Sequence, residues 1–111
     1  MLRYIAGSDA PELRLTFQNG DGTYPDFTTG YSFELKIAAF GSTTALVNKT
    51  TGLTGAAGSA TAPNLIVTWA TTNELNTLTP GFYVLQATAK RTSDNAEWHE
   101  QWDLEIRPKV T

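Results

Sequence analysis

Over its last third the chain alternates between apolar and polar positions. From Phe82 to Arg91, Tyr83, Leu85, Ala87 and Ala89 fall on one face, and Gln86, Thr88 and Lys90 on the other. After the turn Thr92-Ser93-Asp94-Asn95, the stretch Glu97 to Arg107 repeats the pattern. Trp98, Trp102, Leu104 and Ile106 oppose His99, Gln101, Asp103, Glu105 and Arg107. Successive side chains of a strand point to opposite faces, so a period of two over this length predicts an antiparallel ribbon with one buried face.

Upstream the same signal recurs in shorter pieces. Leu2 to Ala6 predicts a first strand, broken by Gly7-Ser8-Asp9-Ala10-Pro11. Glu12 to Gln18 places Leu13, Leu15 and Phe17 inward. Asn19 to Gly30 is a polar loop, and Tyr31 to Ala39 is a strand with Phe33, Leu35 and Ile37 on its core side. Ala45 to Thr51 predicts an edge strand on which Lys49 discourages pairing with other chains. Gly52 to Pro63, rich in Gly, Ala, Thr and Ser, fits a mobile loop or a ragged strand. Leu65, Val67 and Trp69 mark another inward face. Thr71 and Glu74 have the spacing of a capping box for one helical turn, and Leu75 and Leu78 share a face of it. Thr79-Pro80-Gly81 ends that turn and launches the hairpin. The expectation is an all-β antiparallel sandwich of seven or eight strands with one short helical turn, in a single domain over 1–111. No helix is long enough for a crossover between parallel strands, so a parallel sheet is not expected.

The composition narrows the chemistry. At 111 residues, 41% apolar and with twelve aromatic rings, the chain can fill a core without staples. It has no cysteine, which excludes a disulfide framework, a Cys-ligated metal and a thiol nucleophile. Met1-Leu2-Arg3-Tyr4 lacks the basic region and apolar stretch of a signal peptide, and no apolar run has the ~20 residues of a membrane span. The net charge is −3, and Asp94, Glu97, Glu100, Asp103 and Glu105 gather on the last hairpin, which argues against nucleic acid as a partner.

Candidate sites are few. His99, the single histidine, alternates with Trp98 and points out of the core, and no Ser lies in a nucleophile turn. Glu100 shares its parity with Trp98 and Trp102, so it needs an open strand end or a cation such as Arg14, Lys36 or Arg91. Read as one acid of a glycosidase pair, it lacks an evident second acid. Asn19, Asp21, Thr23 and Asp26 offer oxygens in a Gly-rich loop, but the spacing departs from a calcium-binding loop and fits ordinary turns. Trp69, Trp98 and Trp102 would suit a sugar platform only if exposed, and their parity favours core packing. Tyr24 and Phe27, carried by one loop, are the candidates for contact with another molecule. Asn48-Lys49-Thr50 matches a glycosylation acceptor, which matters only in a secreted eukaryotic protein. No cofactor, metal or catalytic group is expected.

Two features resemble an immunoglobulin-type sandwich: the single helical turn before the penultimate strand, and Tyr83 just after Pro80-Gly81, which is similar to a tyrosine corner. The order of motifs carries a narrower likeness. Gly7-Ser8-Asp9 precedes Leu13-Arg14-Leu15-Thr16-Phe17, then Asn19-Gly20-Asp21-Gly22, Phe27-Thr28-Thr29-Gly30 and Tyr31-Ser32-Phe33-Glu34-Leu35. Leu65 to Trp69, Pro80-Gly81-Phe82-Tyr83 and a closing hairpin follow. This resembles the N-terminal immunoglobulin-like domain of phage baseplate upper proteins, which anchors receptor-binding or fibre proteins to a virion. The likeness spans most of the chain in short motifs.

The resemblance implies a non-enzymatic virion module, assembled in the host cytoplasm. It would lie in tail or baseplate, dock to other virion proteins and assemble symmetrically as a homo-oligomer. That family continues past its domain where this sequence ends at Thr111, so a small tail accessory or a capsid decoration protein is the related expectation. The alternative is a carbohydrate- or receptor-binding sandwich; an enzyme would need convergent titratable groups.

Overall fold

The computed structural model describes residues 2–6, 12–69 and 74–110. Eight strands are present among them: β1 (Leu2–Ile5), β2 (Leu13–Leu15), β3 (Tyr31–Ala39), β4 (Ala45–Lys49), β5 (Leu53–Gly55), β6 (Leu65–Val67), β7 (Gly81–Arg91) and β8 (Glu97–Arg107). One 3-10 turn, Glu74–Thr77, separates β6 from β7. The strands form a five-stranded sheet in the order β1-β8-β7-β3-β4 and a three-stranded sheet in the order β2-β6-β5. The fold is an all-β sandwich.

The alternation of β3, β7 and β8 sets the inner layer. Leu35, Ile37, Leu85, Ala87, Ala89, Leu104 and Ile106 are buried, and Leu15, Leu65 and Val67 of the smaller sheet share the same core. The β7–β8 register pairs Leu85 with Trp102 and Tyr83 with Leu104. On β3, Ile37 meets Leu85 and Leu35 meets Ala87, so apolar rows cross the sheet without interruption. Leu75 of the helical turn and Leu78 just after it are buried as their spacing predicts. The Tyr83 hydroxyl donates to the Thr79 carbonyl at 2.5 Å, reaching backbone four residues upstream in the manner of a tyrosine corner.

Several details differ from the sequence expectation. β1 pairs with β8 in parallel, with Leu2 opposite Leu104 and Ile5 opposite Arg107. A missing crossover helix excludes parallel pairing only between near neighbours in sequence; here almost the whole domain connects the two strands. Lys49 does lie on an edge strand, but it is 4% exposed. Its alternation with Val47 turns it inward, and its ammonium lies 5.2 Å from the Trp69 ring centroid. Within 52–63, of the two alternatives of a mobile loop or a ragged strand, the short strand Leu53–Gly55 on β6 agrees with the second. A Cβ at Gly55 would collide with the Phe27 carbonyl, so the sparse composition of this segment is what permits its close approach. The Thr71–Glu74 capping box lies outside the described residues.

β2 is shorter than its alternation suggests, because its ladder with β6 ends at the Leu15–Leu65 pair. Beyond it the Asn64 side chain takes over. Its amide oxygen accepts from the Phe17 N–H at 2.7 Å, and its nitrogen donates to the carbonyls of Phe17 at 2.9 Å and Pro25 at 3.1 Å. Asn64 is fully buried, and Gly58 at φ +72° leaves room for it, since a Cβ there would press on the Asn64 side chain. A side-chain amide thus extends the ladder and ties the 19–30 loop to the core edge. Asn64→Ala would orphan buried backbone groups and is expected to lower the unfolding free energy by about 3 kcal/mol, measured by urea denaturation. A loss below about 1 kcal/mol would mean that water replaces the amide without penalty.

Candidate functional site

The 19–30 loop is built from local hydrogen bonds. Asp21 accepts from the Thr23 hydroxyl and N–H, and Asp26 from the N–H and hydroxyl of Thr28. These bonds hold both carboxyls below their ordinary range, through the Thr23 hydroxyl first at Asp21 and the Thr28 N–H first at Asp26. Asn19 donates to the Thr23 hydroxyl and accepts from the Trp98 indole at 3.2 Å. The oxygens of this loop thus serve its own turns. Among the described residues no group of three His, Asp or Glu gathers where a metal ion could be held.

The loop does not present Phe27. The ring is 1% exposed and packs edge-on against Phe17, Tyr31, Phe33 and Trp98 at centroid distances of 5.2, 4.8, 5.7 and 6.3 Å. The expectation that it offers a contact is therefore corrected: a polar loop can still fold its one large apolar side chain under itself, because burying a phenyl ring stabilises the domain more than a solvated tip could. Tyr24, the other contact candidate, is half-buried.

Trp69 is buried, while Trp98 and Trp102 are half-buried. Trp98 has the Arg91 guanidinium 5.2 Å from its ring centroid, and Trp102 meets the Phe17 ring at 5.8 Å. Glu100 lies between them in sequence, half-buried, on a stretch of β8 that β1 does not cover, since β1 pairs only with Leu104 to Arg107. The cations considered for it have other partners: Arg14 pairs with Glu12, Lys36 with Glu34 and Arg91 with Asp94. Glu100 takes no ion pair among the described residues, and the open strand edge accommodates its carboxylate.

His99 is on the outer face, as its parity predicts. Its Nδ1 is 2.9 Å from the Thr88 hydroxyl, and its Nε2 is 3.8 Å from a Glu97 carboxylate oxygen. The order Thr, His, Glu is that of a proton relay, but 3.8 Å is too long for a hydrogen bond and all three side chains lie on an open sheet in water. Beside this row a groove of about 600 Å³ runs along the β3 edge that β4 leaves uncovered, lined in part by Tyr31, Phe33, Glu34 and Lys90.

The outer face of the larger sheet changes character along its length. From its middle toward the hairpin turn it is polar: Gln101 bonds Gln86, Lys36 pairs with Glu34, and Thr88 meets His99. At the other end it is apolar. Phe40 and Phe82 are 68% and 56% exposed, and the Phe40 N–H bonds the Phe82 carbonyl at 3.1 Å. Ile5 and Leu46 are also exposed on the larger sheet's border strands. With Tyr83 and Asp103, the two phenylalanines line a hollow of about 320 Å³. Asp103 takes no ion pair among the described residues, whereas its neighbour Glu105 is 3.5 Å from Arg3. Sequence reasoning passed over this patch, although a signal was present: Phe82 and Phe40 sit on the outward parity of β7 and of the continuation of β3.

No family model matches this chain, and no curated protein or solved structure matches it either. Among the described residues no helix is long and apolar enough to cross a membrane.

At the far end of the hairpin, Arg91 grips Asp94 through two bonds of 3.0 and 2.8 Å, and the Ala96 N–H adds a third at 3.1 Å. The Arg91 bond is the larger cause of a carboxyl pKa lowered to about 2, and Arg91 itself is raised. A carboxyl depressed on folding contributes stability above its unfolded value of about 3.9 and loses that contribution as pH falls toward 2. A carbon-detected NMR titration is expected to place the Asp94 midpoint near 2, and Asp94→Asn is expected to remove this part of the acid dependence. A midpoint at the ordinary carboxylate value would show the turn open in solution.

Proposed function

We propose that this chain is a non-enzymatic structural and interaction module of a phage virion, placed in tail or baseplate or, as the related alternative, on the capsid as a decoration protein. Its likeness in motif order to the baseplate upper-protein domain supports the virion setting. The geometric support for docking is the Phe40–Phe82 patch: two phenyl rings stand more than half exposed on a rigid sheet, at an expense in hydrated apolar surface that folding alone does not require. The mechanism is positional. The sandwich holds the patch at a fixed angle to the open edge of β8, and a neighbouring virion protein covers one or both. Large apolar groups on a fixed backbone anchor an interface with little loss of conformational entropy.

The carbohydrate-binding alternative has one supporting observation, the groove that carries Tyr31, Phe33, Glu34 and Lys90. Its tryptophans are less suited to stacking, because Trp69 is buried and Trp98 and Trp102 are already engaged by Arg91 and Phe17.

Particles of the encoding phage, purified on a gradient and probed with antibody to this chain, are expected to carry it in a fixed ratio to the structural proteins. The double change Phe40→Ser, Phe82→Ser is expected to reduce incorporation by about tenfold or more. It should alter unfolding free energy by no more than about 0.5 kcal/mol per site, since both rings are exposed. Purified particles without the chain, together with oligosaccharide quenching of tryptophan fluorescence, would replace this reading by the carbohydrate one.

A further inference from the structure

We propose that the Phe40–Phe82 hollow receives the Pro108-Lys109-Val110 segment of a second copy of this chain, joining copies head to tail. The inference rests on the outer-face docking surface described above and names its occupant.

The hollow states what it needs. Two phenyl rings call for an apolar side chain, and the Asp103 carboxylate, free of ion pairs among the described residues, calls for a cation beside it. The segment leaving β8 offers that pair of groups. Val110 is 93% exposed, the highest value among the exposed large hydrophobics, and Lys109 takes no ion pair among the described residues. Pro108 has no N–H to continue a ladder, so the strand ends at Arg107 and the next residues are released from the sheet. Arg107 and Glu105 are at the same end of the larger sheet as Phe82, which pairs with Glu105. The chain thus carries both halves of the contact at one end, yet its own Val110 remains in water.

Charge decides between this arrangement and the stacking of two patches. A patch laid on its own copy would bring two Asp103 carboxylates together, neither with an ion-pair partner among the described residues, in a protein whose net charge is already −3. A segment bearing Lys109 brings the opposite charge instead. Hollow and segment are different surfaces, so a contact made in one direction only is heterologous and propagates into a ring or a filament. One such contact is small and weak; an array of copies on a particle raises its effective concentration.

Amide spectra of the isotope-labelled protein, recorded from dilute to the highest soluble concentration, are expected to show Phe40, Phe82, Asp103 and Val110 shifting together. Phe82→Ser and Val110→Asp should each abolish these shifts while leaving the melting temperature unchanged. Mixing the two variants should restore association as one-to-one heterodimers, because the first keeps the segment and the second keeps the hollow. Asp103→Lys should weaken association roughly two- to fivefold, and Lys109→Asp in the same chain should recover it. An inert mixture beside an associating parent would overturn the head-to-tail contact in favour of patch stacking. A parent whose spectra never change with concentration would overturn self-association. Continued incorporation into particles in either case would leave the virion reading standing alone.

Discussion

One face of the β3–β7–β8 ribbon has to be dry, and most of the domain follows from meeting that demand. Three strands of nine to eleven residues place Leu35, Ile37, Leu85, Ala87, Ala89, Leu104 and Ile106 on a single surface. No isolated ribbon can leave so much hydrocarbon in water. The smaller sheet covers it with Leu15, Leu65 and Val67, and the 3-10 turn and the residue after it add Leu75 and Leu78. The small residues Ala87 and Ala89 in the middle of β7 are part of the same solution. Both are fully buried in the close-packed layer between the sheets.

The covering sheet is only three short strands, so its borders need polar closure of another kind. Asn64 supplies it on one side, replacing two backbone partners that β6 is too short to offer Phe17. The Phe27 N–H supplies it on the other, donating to the Ala56 carbonyl at 3.0 Å, beside Gly55, where the Phe27 carbonyl passes so close that no side chain fits. These contacts pull the 19–30 loop over the core and bury its phenylalanine, which in turn fixes Tyr31 and Trp98 around it. The loop that looked most available for recognition is thereby committed to the fold.

With the inner layer and the loop both engaged, the outer face of the larger sheet and its edges remain open to solvent. That face is divided. Its polar end is satisfied by pairs within the sheet, such as Gln86 with Gln101. Its apolar end exposes Phe40 and Phe82 with an acid beside them.

The strands, their parity and the all-β class could be read from the chain alone, because a period of two is a local property: each residue's face is set by its neighbours in sequence. For the same reason His99 and Phe82 are outside, and the three-residue spacing of Leu75 and Leu78 likewise puts both inside. What the chain could not disclose depends on which elements meet. The parallel partner of β1, the inward turn of Lys49 toward Trp69, the burial of Phe27 and the ladder-extending role of Asn64 all join residues far apart in sequence. Such contacts are selected by the packing free energy of the whole sandwich, and no local pattern encodes them.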